Sequence, residues 1–142
     1  MIQIQSLGGI GLQGPDGRPI RLRSRKHIGL LLYLAMSRRR MFTRDHLTAL
    51  FWTSPPERAR HSLSQAAYDL RSHLQGALVR GSGEQLALEG RNLEFDALEF
   101  ERAVKEGRLG EAIEWYRGPF AQNLAGAGTA EFDRWVETER LR

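Results

Sequence analysis

The chain has 142 residues, 41% hydrophobic and 27% charged, with no cysteine, a composition of soluble globular proteins that excludes disulfides and suits a cytoplasmic setting. No apolar run approaches the ~18 residues a membrane-crossing helix requires, and the start, MIQIQSLGG, has neither the basic residues nor the apolar segment of a signal peptide. The net charge of +4 is unevenly divided: residues 1–80 hold 13 Arg and Lys against 4 Asp and Glu, a net of +9, and residues 81–142 hold 8 against 13, a net of −5, so a first part suited to a polyanion precedes an acidic module with a different partner.

In residues 1–22, Ile2 and Ile4 alternate with Gln3 and Gln5, and Ile10 and Leu12 alternate again. Gly14-Pro15-Asp16-Gly17 is a turn signal, and Ile20 and Leu22 predict a third short strand. The expectation is a small N-terminal antiparallel sheet with one apolar face. Ser24 is placed to cap a helix over 25–37 whose buried stripe is Ile28, Leu31, Leu32 and Ala35. Arg25 and Lys26 fall in its first turn, against the helix dipole. Either the arrangement is incidental, or an anion such as a phosphate binds there.

Arg38-Arg39-Arg40 is a basic connector. Thr43 caps a second helix over 44–52, with Leu47, Leu50 and Phe51 apolar and Asp45 in the first turn. Pro55-Pro56 opens a third helix over 56–75. Its apolar line is Leu63, Ala67, Leu70 and Leu74, and at about 100° per residue Arg58, His61, Gln65, Asp69 and Ser72 fall roughly opposite. Such a helix either lies in a DNA major groove or is an ordinary amphipathic helix with a solvated face. Gly76 stops it, and 78–80 with 85–88 form a hairpin around Gly81-Ser82-Gly83. Sheet, three helices and hairpin are the order of a winged helix-turn-helix, with the hairpin as wing.

The composition then changes. An acidic helix over 96–106 has Glu99 placed for a capping-box contact and Phe100, Ala103 and Val104 apolar. A second helix over 111–117 directs Ala112, Ile113 and Tyr116 inward and stops at Gly118-Pro119. After a Gly- and Ala-rich loop, Thr129 caps a third, carrying Phe132, Trp135, Val136 and Leu141. The fold class expected is therefore α+β, with a winged helix-turn-helix over 1–92 followed over 93–142 by an all-α, helical-repeat-like segment that buries its core by stacking on later repeats. That last helix reads as unfinished, as in a shortened chain, a proteolytic fragment, or a chain whose cap a partner supplies.

GRPIRLRSRKHIGLLLYLAMSRRRMFTRDHLTALFW followed by PPERARHSLSQAAYDLRSHL resembles the DNA-binding domain of the antibiotic-regulatory-protein (SARP) transcriptional activators. FDALEFERAVKEGRLGEAIEWYRGPF and EFDRWVETERLR resemble the opening of the bacterial transcriptional activation domain of that family, a TPR-like (helical-repeat) domain. The resemblance implies a sequence-specific regulator of double-stranded DNA, of activator type, binding direct repeats as head-to-tail copies, with a dimer on DNA. It also implies RNA polymerase as a partner through the connector at 38–40. The chain departs from the family at Tyr68-Asp69-Leu70-Arg71, where Ser-Arg-Leu-Arg is common, and at Gly83-Glu84-Gln85, where the wing usually has Gly-Tyr.

If the resemblance holds, Arg58, His61, Gln65 and Asp69 face base edges, with Arg suited to guanine, Gln to adenine and Asp to cytosine. Arg60, Ser64, Arg71 and Arg80, with Arg25, Lys26 and Arg44 at helix starts, meet phosphates. Each of these has a plainer reading as a solvated side chain. Tyr68 either stacks on sugar or packs against the wing, the plainer choice. The competing function is a protein-interaction adaptor in which the winged helix is structural and the acidic helices work. An enzyme is not expected: His27, His46, His61 and His73 lack metal-ligand spacing, no phosphate-binding loop is present, and neither cofactor nor metal is implied.

Overall fold

A computed structural model describes residues 1–37, 40–74, 78–81, 85–88, 93–122 and 124–141, with only the backbone at 78–81. The first strands are β1 (Ile2–Gln5) and β2 (Gly11–Gln13), followed by α1 (Arg25–Met36), β3 (Phe42–Thr43), α2 (Arg44–Phe51) and α3 (Pro56–Leu74). Then come β4 (Leu78–Gly81), β5 (Gln85–Leu88), β6 (Leu93–Phe95), α4 (Asp96–Lys105), α5 (Leu109–Trp115) and α6 (Ala130–Arg140). Local chemistry sets several of these boundaries. Ser24 accepts from the His27 amide at 3.3 Å and Thr43 from the His46 amide at 3.1 Å, each satisfying a first-turn donor.

The N-terminal sheet differs from the antiparallel one expected. Its order is β2-β1-β6, antiparallel between β1 and β2 and parallel between β1 and β6, with Ile4 paired to Leu12 and to Phe95. The alternation does what period two requires: Ile2 and Ile4 are buried and Gln3 and Gln5 exposed. No strand forms at 20–22; Pro19 makes a single bridge to Gln13. The second sheet, β3-β5-β4, is antiparallel, with Phe42 opposite Leu86 and Leu78 opposite Leu88. Its hairpin β4–β5 follows α3 as expected; residues 82–84 at the tip, Gly76 and Arg38-Arg39 lie outside the described residues.

The expected boundary between 92 and 93 runs through a continuous core. β6 joins the sheet of β1. Phe132 of α6 packs on Phe51 of α2 with the rings tilted and their centroids 4.7 Å apart, both rings fully buried. Gly29 makes that approach possible, because a Cβ there would lie 2.8 Å from Phe51 and 3.1 Å from Phe132. Asp96, buried at the start of α4, accepts from the amides of Ser6 and Leu7 at 2.9–3.0 Å and from the Ser6 hydroxyl at 3.0 Å. A buried carboxylate is retained where several donors converge on it, as here. The turn before Phe120 crosses the end of β1 so closely that a Cβ on Gly118 would sit 2.7 Å from the Gly8 Cα.

Other corrections fall in the second half. Glu99 pairs with Arg102 and makes no capping box; the residue at the α4 cap is Phe95, with no side-chain hydrogen bond. Thr129 does not cap α6 with its side chain, because its hydroxyl donates to the Leu50 carbonyl at 2.8 Å, at the end of α2. α5 begins at Leu109, two residues before the expected start. Ala112 is buried, whereas Ile113 and Tyr116, expected inward, are exposed, as is Leu141.

Candidate nucleic-acid interface

Along α3 the buried residues are Ala59, Leu63, Ala66, Ala67, Asp69, Leu70 and Leu74. They span a wider arc than the expected Leu63–Ala67–Leu70–Leu74 line, displaced toward Ala59, Ala66 and Asp69, the last held by Arg23 and His27 at the start of α1. The exposed face is consequently rotated by about 50° from the one expected, taking about 100° per residue. It is centred on Tyr68, which is 64% exposed. Around it lie Glu57, Arg58, Arg60, His61, Ser64, Gln65 and Ser72, all exposed. Among the described residues, the side chains of Arg58, His61, Gln65 and Tyr68 have no hydrogen-bond or ion-pair partner in the chain.

One edge of this face is organised by α2. Arg44 donates to the Ser64 hydroxyl at 3.4 Å, and Arg60 lies 3.2 Å from Asp45. These exposed contacts are weak by nature. They align two guanidinium groups beside the outer face of α3 without removing them from solvent. Arg71 is half-buried on the flank of the helix, and the side chain of Arg80 lies outside the described residues.

Three expected contacts are placed elsewhere. Asp69 is buried at 2% exposure and faces inward. Its Oδ2 accepts from the Arg23 amide at 2.8 Å and from His27 Nδ1 at 2.7 Å, and His73 lies 3.4 Å from Oδ1. Burial pushes the Asp69 carboxyl up, but the Arg23 amide, His27 and His73 together outweigh it and hold it below the usual aspartate value. Asp69 is thus a clasp between α3 and the start of α1, and no base edge can reach it. Lys26 Nζ donates to the carbonyls of Phe51 at 2.8 Å and Ala127 at 2.9 Å. Arg25 donates to the Ala125 carbonyl at 2.8 Å. The two cations at the start of α1 tie it to the end of α2 and the loop before α6, so their cost against the helix dipole is offset by carbonyls within the chain.

Sequence reasoning thus brought Arg58, His61 and Gln65 onto one surface with Arg60, Ser64 and Arg44, but did not put Tyr68, whose plainer reading was packing, at its centre. The missed signal was in the alanines: Ala59 and Ala66, neutral in a hydropathy pattern, mark the buried side.

A mixed α/β fold of two small sheets and six described helices, with an exposed polar helix following a short one, has a structural counterpart. The chain is similar to Mycobacterium tuberculosis EmbR, solved in complex with a low affinity phosphopeptide, with a TM-score of 0.75 at 22% sequence identity. The match covers 96% of this chain and 41% of that one, so the chain spans less than half the length of the EmbR chain. At that identity the likeness is one of fold. No protein-family model matches the sequence, and no curated relative matches it. No described helix is long and apolar enough to cross a membrane.

Proposed function

We propose that this chain is a sequence-specific double-stranded DNA-binding transcription regulator of the SARP type, acting as an activator. The observation that carries the reading is the outer face of α3, where Arg58, His61, Gln65 and Tyr68 stand exposed with no side-chain partner among the described residues. Arg, His and Gln side chains presented in one row on a helix suit the donor and acceptor pattern of major-groove base edges. The hairpin β4–β5 serves as the wing on the backbone or minor groove, and Arg44, Arg60, Arg71 and Arg80 supply phosphate contacts that set register. Direct repeats would place copies head to tail, with RNA polymerase as the partner of the activating surface in the cytoplasm. The SARP-like order of motifs and the EmbR-like fold support this reading together.

The test is fluorescence anisotropy on short duplexes at increasing salt. Binding through three or four phosphates gives a log K against log salt slope of about −3. Absence of binding to any duplex at low salt, or an affinity indifferent to salt, would sink the proposal.

A further inference from the structure

The α4–α5 part of the molecule carries a cavity that DNA recognition does not use. Its volume is about 300 Å³, within the range of small-molecule sites. Leu7, just after β1, and Phe120 form one wall, and Phe100 of α4 and Tyr116 form the other, their rings tilted with centroids 5.5 Å apart. The charged groups at the cavity are Glu101, Glu139 and Arg140. Arg140 is committed to the chain: it donates to the carbonyls of Phe120 at 2.8 Å and Ala121 at 3.2 Å and pairs with Glu137 at 2.8 Å. Glu101 is different. It is half-buried, and among the described residues its carboxylate has neither a hydrogen bond nor an ion pair. A bound cation would give this carboxylate the partner it lacks among the described residues.

Phe100 and Tyr116 also wall an adjoining apolar groove that continues over Val104, Leu109, Ala112 and Ile113. Ile113 is 74% exposed and Leu109 62%, an unusual presentation for neighbouring aliphatic side chains.

We propose that this cavity binds a small organic cation: an amine whose charged head meets Glu101 beside the faces of Phe100, Tyr116 and Phe120, and whose apolar body extends into the groove. The carboxylate and the aromatic walls favour a positive head together. A neutral ligand forgoes the Glu101 contact, and an anion meets Glu101 as a like charge. This assignment stands independently of DNA binding, because no residue of α3 lines the cavity.

The test is a nuclear magnetic resonance titration of the full chain with three probes of one shape: 2-phenylethylamine, 2-phenylethanol and phenylacetate. The amine is expected to shift resonances of Phe100, Glu101 and Tyr116, the alcohol to bind at least about tenfold more weakly, and phenylacetate more weakly still. Glu101→Gln, close to isosteric, is expected to lower amine affinity to that of the alcohol and to leave alcohol binding unchanged. Lengthening the amine to 4-phenylbutylamine should strengthen binding in the wild type, and Ile113→Ser should remove that gain. Equal binding of the three probes, unchanged amine affinity in Glu101→Gln, or no shifts at the cavity at millimolar amine would each overturn the proposal.

Discussion

Asp69 and Gln65 lie four residues apart on α3 and have opposite duties. Asp69 closes the gap between α3 and the start of α1, so Asp69→Ala leaves the Arg23 amide and His27 without their acceptor. A loss of about 1–3 kcal/mol is expected in denaturant unfolding. Its folded carboxyl is held below the usual value, so its contribution is complete at neutral pH and is lost as pH falls through the folded value. The stability difference between wild type and Asp69→Asn should therefore shrink as pH falls below the usual aspartate range. A difference that went on growing below that range would show the sign to be wrong. Gln65→Ala should leave stability unchanged and cost about 1–3 kcal/mol of discrimination at one base position. Arg60→Ala should weaken all duplexes alike and reduce the salt slope by about 1. The sequence could place both residues on the same helix, but not on different sides of it. What turns Asp69 inward is the Arg23 amide and His27, 46 and 42 residues away, and nothing in the local pattern around Asp69 announces them.

At the scale of elements, capping residues and turn chemistry made the helices legible. Ser24, Thr43 and Pro55-Pro56 set the starts of α1, α2 and α3 within a residue of expectation, because those signals are local. The facing of helices was less legible, since it depends on the neighbour. α3 is rotated because Ala59, Ala66 and Asp69 are buried, Asp69 against Arg23 and His27; α5 exposes Ile113 because the described residues place no element over it. The fit of α1 against α2 and α6 yields a further prediction. Gly29 sits in a helix interior, where Ala normally gains up to ~1 kcal/mol. Here a Cβ meets two fully buried rings that are themselves in contact and cannot both retreat. Gly29→Ala should lower stability by about 1–3 kcal/mol in chemical denaturation. A stabilised variant would show that the α1–α6 approach is looser than described.

For the whole molecule, the division of charge at about residue 80 suggested two modules, and the core does not respect it. Charge reports on surfaces, whereas β6, Asp96 and Phe132 join the parts through the interior, and pairing across 90 residues, as between Ser6 and Asp96, leaves no trace in local periodicity. The full chain should unfold in one cooperative calorimetric transition. Residues 1–92 alone, lacking β6 and the Phe132 ring over Phe51, should melt at markedly lower temperature or without cooperativity. Two separate transitions in the full chain would restore the modular picture. The central claim is that the outer face of α3 reads DNA. It is tested most directly by selecting duplexes from a randomised library with the wild type and with Gln65→Ala, then sequencing what each retains. The account predicts an enriched motif with the wild type and the same motif relaxed at one position with the variant. No enriched motif, or a motif that Gln65→Ala leaves untouched together with His61→Ala and Arg58→Ala, would contradict it.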